Sequence, residues 1–400
     1  MNVLFLTLVA INSIEDRGIY QDLLRKFRDE GHNVTIVSPV ERRKKTATNL
    51  KIKEGVSVLQ VKTFNITKTN VLEKGLATLS IEYQYLNAVK KYLAKTHFDL
   101  ILYSTPPITF AKVIEYVKMR DEAYTYLLLK DIFPQNAVDM GMLKKGSLLY
   151  KFFVKKEKKL YQLSDTIGCM SPANVNFILK HNTELDSEKV EVNPNTIEPV
   201  KLNYTKEEKV NIRTKYSIPL NKKIFVYGGN LGKPQGLNFL LETILRTNNY
   251  KVFFLIVGDG TEYSRIRTWF NEKEPKNAKL LQRLPKVDYD QLLAACDVGM
   301  IFLDKRFLIP NFPSRLLSYL EMKKPVLAAT DSNTDIGDII ESSGCGVKVL
   351  AGNQEEMQSK LNALLNKNFE IMGSKAEELL LGNYTVDRSY KLITNKIYNV

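Results

Sequence analysis

Residues 223–236 read KIFVYGGNLGKPQG and join an apolar run, a glycine-rich loop and the start of a helical pattern at Leu237. The run predicts a buried strand, so the segment has the order strand, loop, helix. Glycines let a backbone approach a diphosphate closely, and a helix N-terminus adds N–H donors and a positive dipole end. Lys233 adds a charge to the loop. Glycine-rich loops also serve as plain tight turns, so a phosphate site and a turn both stay open here.

The same alternation of strands and helices extends along the chain on both sides of this loop. The apolar run 2–8 predicts a first strand, and a helical pattern follows over 16–30 until Gly31 ends it. Beyond the loop, residues 252–257 predict another buried strand. Strands that alternate with helices indicate parallel βαβ units, and open parallel sheets bind ligands beyond the carboxyl ends of their strands.

A polar stretch with two prolines, residues 194–210, separates two parts of similar length and predicts a domain linker. The predicted fold class is α/β, with two Rossmann-like domains whose parallel sheets face each other across a cleft. We place the first domain at 1–198, the second at 199–385, and at 386–400 a last helix that crosses back to the first domain.

The composition narrows the function classes. The 400 residues include 58 basic and 44 acidic side chains, a net charge of +14, which suits nucleotide phosphates, an anionic lipid surface or nucleic acid, or is a solvated basic surface. The three cysteines are far apart and form no CxxC pair, which argues against a disulfide frame or structural zinc and fits a reducing cytoplasm. No G-x-G-x-x-G follows the first strand, which argues against a NAD-dependent oxidoreductase.

A second candidate segment is a helix that begins near Pro313, a residue suited to the first helical turn. Ser314 and Arg315 would then lie in the first turn, where Arg315 could grip a phosphate with two hydrogen bonds or form a surface ion pair. Ser318 and Glu321 are three residues apart and share a helix face, where a ribose or sugar hydroxyl could bind.

Two further strand ends complete the second domain. The sequence GDG at 258–260 is expected to be a structural turn, because a divalent-metal motif of the Asp-x-Asp kind needs two carboxylates. No such motif lies near a predicted strand end, so we expect a mechanism without a metal ion. The sequence RLP at 283–285 lies at the end of a further predicted strand, and the family resemblance described below implies backbone contacts from it to a nucleotide base.

In this order and spacing the segments resemble glycosyltransferase family 4, the retaining transferases of GT-B fold. The start of the chain resembles the first βα unit of that family, Ser171-Pro172 its strand-end serine, and Asn193-Pro194-Asn195 its Pro-Asn-Gly segment. The variants GGNLGKPQG, KDIFPQNA and YSTPPIT are most similar to a subgroup in O-antigen and capsule assembly, which includes N-acetyl-L-fucosaminyltransferase-like enzymes.

The resemblance implies a function for each domain. The first would bind the acceptor and the second a nucleotide sugar, which is UDP-linked in the family. The implied reaction is transfer of a sugar, such as an N-acetylated deoxy-hexosamine, to a lipid-linked or glycan acceptor in cell-surface polysaccharide assembly. It would proceed by front-face attack with retention, without cofactor or metal, in the cytoplasm or on the inner face of the cell membrane.

The matching positions give the expected site. The expected catalytic residues are Asp131, Arg315 and Lys233. The expected donor-binding residues are Gly229, Asn230, Leu231, Gly232, Arg283, Leu284, Pro285, Pro313, Ser314, Ser318 and Glu321. The expected acceptor-side residues are Gly18 and Ser171.

The sequence departs from the family pattern at the donor site. The family's loop arginine and lysine, which clamp the diphosphate, are replaced by Asn230 and Gln235, leaving Lys233 and Arg315 as the cations. The second glutamate of the family's Glu-x7-Glu motif, a ribose ligand, is replaced by Ser318. Glu321, one turn further on, is the candidate to replace it.

Asp131 follows the predicted strand 124–130 and stands where many relatives carry a His or Asp in the cleft. It could orient the acceptor or the sugar, or it could cap the next helix. Residues 144–161 interleave seven lysines with leucines, phenylalanines and tyrosines. This segment could lie on an anionic membrane surface, or it could be a packed helix with a solvated lysine face.

Two other functions stay open. A nucleotide-sugar epimerase of GT-B-like fold would use the same donor and need no acceptor. A non-catalytic basic nucleic-acid-binding protein would use the positive charge, but no aromatic RNA motif or zinc finger occurs, so we expect no nucleic-acid partner. The histidines His32, His97 and His181 form no constellation and are expected to be structural.

Overall fold

A computed structural model describes residues 1–65 and 71–398, with only the secondary structure given for 71–79. The chain divides into two compact units. Unit 1 comprises Met1–Glu198 and Val386–Val400, and unit 2 comprises Pro199–Thr385. The boundary at 198 lies inside the polar stretch 194–210.

Unit 1 alternates strands and helices. Its elements are β1 (Asn2–Leu6), α1 (Ile19–Asp29), β2 (Asn33–Glu41), β3 (Asn49–Lys53), β4 (Val56–Thr63), α2 (Val71–Tyr92), β5 (Leu100–Ser104), α3 (Ala111–Asp121), β6 (Tyr124–Leu129), α4 (Gln135–Asp139), α5 (Leu148–Leu163), β7 (Thr166–Cys169), α6 (Pro172–His181) and β8 (Val190–Val192).

Unit 2 repeats the alternation. Its elements are α7 (Lys206–Lys215), β9 (Lys223–Asn230), α8 (Leu237–Arg246), β10 (Val252–Asp259), α9 (Tyr263–Lys273), β11 (Ala278–Gln282), α10 (Lys286–Ala294), β12 (Val298–Phe302), α11 (Arg315–Glu321), β13 (Val326–Thr330), α12 (Ile336–Ser342), β14 (Gly346–Leu350), α13 (Gln354–Leu365) and α14 (Phe369–Asn383). The last helix, α15 (Val386–Tyr398), belongs to unit 1.

The sheet of unit 1 has the order β3-β4-β2-β1-β5-β6-β7-β8. All its neighbouring strands are parallel except β3, which pairs with β4 in the antiparallel direction. The sequence analysis did not predict β3. Its residues NLKIK lie on the edge of the sheet with Ile52 83% exposed, so the strand carries no buried apolar run.

Helix α1 shows how the first βα unit forms. Tyr20, Leu23, Leu24 and Phe27 recur at helical spacing and are buried in the core of unit 1 with strands β1 and β2. Gly31, at a φ of +82°, follows the last turn and donates its N–H to Arg28 O, so the predicted glycine stop is confirmed.

The sheet of unit 2 has the order β11-β10-β9-β12-β13-β14, and all its strands are parallel. Parallel strands present their carboxyl ends at one edge, so the loops after β9, β10, β11 and β12 share that edge. We call it the carboxyl edge of unit 2. The core beneath it contains Phe225, Phe254, Met300 and Phe302.

Helix α15 packs on α1 in unit 1. Ile393 is fully buried in the core, and Tyr390 Oη lies 2.8 Å from His32 Nε2. Ser389 donates to Asn193 Oδ1 at 2.8 Å, and Val386 N donates to Ile197 O at 3.0 Å. The last helix therefore completes the first unit and not the second.

None of the helices in the described residues is long and apolar enough to cross a membrane.

We expect Ile393→Ala to lower the free energy of unfolding by about 2–5 kcal/mol, because it removes a fully buried side chain and leaves a cavity. Urea unfolding followed by circular dichroism measures the change. The exposed neighbour Lys391→Ala is the control and should stay within about 0.5 kcal/mol of wild type. A similar small change for Ile393→Ala would mean that α15 does not stabilise unit 1.

Candidate functional site

The loop after β9 is shaped by close backbone approaches. A Cβ on Gly258 would lie 2.0 Å from Gly229 O, and one on Gly236 would lie 2.6 Å from Leu303 O. Gly236 also has a φ of +55° and directly precedes α8. These glycines are therefore needed for packing at the carboxyl edge, which accounts for the tight-turn interpretation. The predicted structural turn at 258–260 lies at the end of β10 and includes Gly258, which packs against Gly229 O.

Gly229 is different because it has a φ of +125° and lies close to a charged side chain. A Cβ there would lie 3.7 Å from the guanidinium carbon Cζ of Arg315. That Cζ lies 4.3 Å from the centre of the Tyr227 ring, a cation–π contact. Arg315 Nη2 donates to Gln235 Oε1, which also accepts from Tyr227 Oη at 3.3 Å.

The second amino group of Arg315 has no such partner. Nη1 is buried and makes no hydrogen bond, and Arg315 forms no ion pair with a carboxylate in the described ranges 1–65 and 71–398. The surface ion pair that the sequence left open for Arg315 is therefore wrong. A buried N–H without an acceptor is costly, which makes this atom the strongest sign of an anion site in unit 2.

Two more tyrosines underlie Gly228, and sequence reasoning missed them. Tyr319 Oη donates to Met300 O at 3.1 Å and accepts from Gly228 N at 3.2 Å, and burial raises its pKa to about 12. A Cβ on Gly228 would lie 1.8 Å from Tyr289 Oη. Tyr227, Tyr289 and Tyr319 form what we call the tyrosine cluster. The available signal was the spacing of Arg315 and Tyr319, which are one turn apart.

The other residues of the glycine-rich loop differ in their exposure and in their hydrogen bonds. Lys233 is exposed and has no ion pair with any described carboxylate. The Asn230 side chain is exposed and lies between the Cα positions of Gly232 and Gly260. Leu231 is fully buried, and its N–H donates to Asp259 O at 2.9 Å. The N–H and the side chain of Leu231 are therefore both engaged within unit 2, and its expected contact with a donor stays a prediction.

The predicted base-contact residues follow β11 directly. Arg283 and Pro285 are exposed and Leu284 is half-buried at the carboxyl edge of unit 2. Pro285 immediately precedes α10. The arrangement leaves these residues accessible, and their contact with a base stays a prediction.

Helix α11 carries the remaining donor candidates. Pro313 is half-buried, and Ser314 precedes the helix with an exposed side chain that makes no capping hydrogen bond. Ser318 is half-buried. Glu321 Oε1 accepts a hydrogen bond from Val200 N at 3.0 Å. That bond gives Glu321 a structural role at the start of unit 2, and a ribose contact would compete with it.

In unit 1, Asp131 lies just beyond β6. Asn136 Nδ2 donates to Asp131 Oδ2 at 2.6 Å, and Thr105 Oγ1 donates to Asp131 O at 3.0 Å. Burial raises the pKa of Asp131 to about 6, against the lowering effect of hydrogen bonds from Ile132 N and Asn136. Helix α4 begins at Gln135, so the alternative role of Asp131 as its cap is wrong.

Lys130, the residue before it, was not predicted. Its Nζ lies 3.4 Å from Asn193 O, and burial lowers the pKa of its ammonium group to about 7. Burial also raises the pKa of the Cys169 thiol to about 12. Burial therefore brings the pKa values of Lys130 and Asp131 closer to neutrality than usual, and both residues directly follow β6 in unit 1.

The acceptor-side candidates have local roles. Gly18 N donates to Asp22 Oδ1 at 3.0 Å at the start of α1. Ser171 is buried, caps α6 by accepting from Asn174 N, and donates to Asn174 Oδ1 at 3.0 Å. Because its hydroxyl is enclosed and engaged, Ser171 cannot meet an acceptor without movement of α6. The three cysteines are buried and unpaired.

Among residues 1–65 and 71–398, no group of three or more His, Cys, Asp and Glu side chains could hold a metal ion.

Comparison with known proteins agrees with this description. Residues 208–379, most of unit 2, match the family described as Glycosyl transferases group 1. The probable glycosyltransferase WbjE of Pseudomonas aeruginosa is 24% identical over 320 residues, which cover 80% of this chain and 78% of WbjE. The putative colanic acid biosynthesis glycosyl transferase WcaI of Escherichia coli is 24% identical over 250 residues, which cover 61% and 60%.

Solved structures show the fold. Sucrose-phosphate synthase of Thermosynechococcus elongatus superposes with a TM-score of 0.77 at 12% identity, over 100% of this chain and 98% of that one. HepE of Anabaena, solved with UDP-glucose, gives 0.72 at 14% identity over 100% of both chains. The predicted GT-B fold of two α/β domains with mainly parallel sheets is confirmed. The family match and the relatives support glycosyltransferase activity.

We expect Asn136→Ala to raise the pKa of Asp131 further above 6, because it removes a hydrogen bond to the carboxylate. Carbon-13 NMR titration of labelled aspartates measures the pKa, with the resonance assigned from Asp131→Asn. Gln135→Ala is the matched control, since Gln135 donates to Asp139 and not to Asp131. An unchanged pKa in Asn136→Ala would show that this hydrogen bond does not hold the carboxylate in solution.

Proposed function

We propose that this protein is a retaining glycosyltransferase that moves a sugar from a UDP-linked donor to an acceptor hydroxyl without a metal ion. One observation carries the donor site: Arg315 Nη1 is buried with no hydrogen-bond acceptor, in a guanidinium whose Cζ lies close to Gly229. The match of residues 208–379 to glycosyl transferases and the UDP-glucose held by HepE support a nucleotide sugar as the ligand.

The diphosphate of the donor would supply the missing acceptor. An oxygen at hydrogen-bond distance from Nη1 would satisfy the buried N–H and form a charge-assisted bond. Lys233 is exposed in the adjacent loop and would add a second positive charge. As the sugar–phosphate bond breaks, negative charge grows on the leaving diphosphate, and fixed cations near it lower the barrier.

Gln235 would not bind the diphosphate as the family's loop cation does, but would position Arg315. Its Oε1 accepts from both Arg315 Nη2 and Tyr227 Oη, so the amide holds the guanidinium over the tyrosine ring. This contact leaves Nη1 as the group available to the ligand. We infer that the chain compensates for a missing loop cation by orienting Arg315 more firmly. Gly229, which is exposed, would leave its backbone open to the diphosphate.

The remaining donor contacts follow from position. Arg283, Leu284 and Pro285 would border the uracil base, and Ser318 on α11 would reach the ribose. Glu321 is a weaker candidate for the ribose because it already accepts from Val200 N.

Asp131 would act in unit 1 as the group that orients the acceptor or the transferred sugar. Its carboxylate accepts hydrogen bonds from Ile132 N and Asn136 Nδ2, and its pKa of about 6 means that it is largely ionised at neutral pH. Retention by front-face attack needs no protein nucleophile. We therefore expect Asp131 to accept a hydrogen bond from a hydroxyl and not to form a covalent intermediate.

The acceptor would be a lipid-linked or glycan molecule in cell-surface polysaccharide assembly. WbjE and WcaI, the latter named for colanic acid biosynthesis, support this class, as does the resemblance to N-acetyl-L-fucosaminyltransferase-like enzymes. A surface of unit 1 suits a lipid partner. Leu148, Leu149 and Phe152 are 87%, 53% and 37% exposed at the start of α5, with the exposed Lys144 and Lys151 nearby. We call these five residues the α5 patch.

The α5 patch combines apolar groups with positive charge, which is the pattern of an interfacial membrane helix. The second half of α5 is packed, with Leu160 and Tyr161 buried, and Lys156 and Lys159 pair with Glu82 and Glu115. The packed-helix interpretation thus fits that half only. We propose that the patch rests on the inner, anionic face of the cell membrane.

We expect UDP to stabilise the wild-type protein against heat, by roughly 2.7 kcal/mol at a hundred times its dissociation constant, and EDTA to leave this unchanged. Arg315→Ala should weaken UDP binding about 10- to 100-fold, because it removes a charge-assisted hydrogen bond. Arg246→Ala removes the same charge at the far end of α8 and should bind UDP normally.

Three results would contradict the donor site: no stabilisation by UDP, loss of stabilisation in EDTA, or normal UDP binding by Arg315→Ala. Conversion of a UDP-sugar to its epimer without an acceptor would favour the epimerase instead.

We expect the protein to sediment with vesicles that contain phosphatidylglycerol but not with phosphatidylcholine vesicles, and high salt should release it. The double change Leu148→Glu and Phe152→Glu should abolish binding, because it places two negative charges in the α5 patch. Met119→Glu on α3 is the matched control, since Met119 is 79% exposed in the same unit. The proposal that the α5 patch binds the membrane would be contradicted by equal binding to both vesicle types. It would also be contradicted if Met119→Glu lost as much vesicle binding as the double variant.

A further inference from the structure

Unit 1 contains a cavity that the donor chemistry does not use. Helices α4, α5 and α6 and the segment after β6 enclose about 140 Å³, lined by Ile132, Lys145, Val154, Glu157, Phe177 and His181 among others. A cavity of about 150 Å³ in another protein binds benzene, so this one can admit a six-membered ring. We call it the α4–α6 cavity.

The polar centre of the wall is Glu157. The residue is only 9% exposed, and Tyr161 Oη donates to its Oε1 at 2.9 Å. Glu157 has no ion pair with any described residue. Its neighbour in the chain, Lys158, pairs with Glu184 at 2.7 Å. Burial raises the pKa of Glu157 to about 7. A largely buried acid beside open space is suited to hydrogen bonds with the hydroxyls of a ligand.

Other lining residues supply an aromatic surface on α6 and a positive charge just before α5. The rings of Phe177 and His181 stack with centres 4.0 Å apart and planes at 25°. Lys145 is exposed and has no ion pair among the described residues, and Lys158 lies on the same wall. An aromatic face, a buried acid and the unpaired ammonium group of Lys145 together suit a sugar ring that carries an anionic group.

We propose that the α4–α6 cavity binds a sugar phosphate, with the ring against Phe177, a hydroxyl on Glu157 and the phosphate on Lys145. In naming this ligand as part of the acceptor, the inference rests on the proposed glycosyl transfer. The cavity lies next to Asp131 in the chain, because Ile132, which lines the cavity, directly follows Asp131. A sugar phosphate held here would lie beside the loop that carries the proposed orienting carboxylate.

The test is equilibrium binding of glucose 1-phosphate by calorimetry, with no UDP present. Wild type should bind glucose 1-phosphate at least about tenfold more tightly than inorganic phosphate, glucose or glycerol 3-phosphate. Lys145→Ala should weaken binding about tenfold, and Val154→Trp, which fills the cavity, should abolish it. The control Lys155→Ala removes an exposed lysine of α5 and should bind as wild type does.

The outcomes separate the sources of the phosphate and the two sites. Equal binding of inorganic phosphate or glycerol 3-phosphate would overturn the proposal, since it would show a bare anion site or a lipid-headgroup site. Unchanged binding in Lys145→Ala, an exposed position whose replacement leaves folding intact, would overturn it as well. UDP stabilisation, measured on the same samples, reports on unit 2: its presence without glucose 1-phosphate binding defeats the cavity alone, and the reverse defeats the donor site alone.

Discussion

The charge on Arg315 is the constraint around which the carboxyl edge of unit 2 is built. A half-buried guanidinium needs partners, and this chain supplies a tyrosine face and one amide oxygen where an ion pair would be usual. Gly229 has a φ of +125°, a conformation that a side chain would strain, and Gly228 must lack a side chain because Tyr289 occupies that space. The two glycines, the tyrosine cluster and Arg315 therefore lie together at the end of β9.

The buried ionisable groups of unit 1 differ from Arg315, because burial brings their pKa values closer to neutral pH. The net charge of the chain is +14, yet burial moves the pKa values of Lys130, Asp131 and Glu157 toward neutrality, to about 7, 6 and 7. None of the three has an ion-pair partner among the described residues to oppose the desolvation. Small changes in their surroundings, such as a bound hydroxyl or phosphate, would change which of them is charged near neutral pH. Arg315 in unit 2 thus keeps its charge, whereas the charges of Lys130, Asp131 and Glu157 in unit 1 can change near neutral pH.

The sequence predicts the fold well because its evidence is local and repeated. Runs such as 252–257 are apolar throughout, as strands buried on both faces must be, and Gly31 ends α1 as predicted. The edge strand β3 was missed because it is exposed and carries no such run. Site residues are harder to predict, since their roles depend on contacts distant in sequence. Ser171 is an expected acceptor-side residue but its hydroxyl is enclosed, and Leu231 is an expected donor-binding residue but its N–H donates to Asp259 O.

The replacement at Gln235 shows why a motif departure need not mean lost function. From the sequence, an amide at a lysine position removes one of the charges that would hold a diphosphate. In the folded chain the same amide accepts from Arg315 Nη2 and so helps to hold the guanidinium, whose Nη1 has no hydrogen-bond partner, near Gly229. Orientation of a donor before the ligand arrives reduces the reorganisation needed as charge develops, so one well-held cation can compensate in part for two mobile ones. Since Tyr227 and Gln235 both belong to the segment 223–236, the stretch that determines the βα fold also determines the direction of the guanidinium.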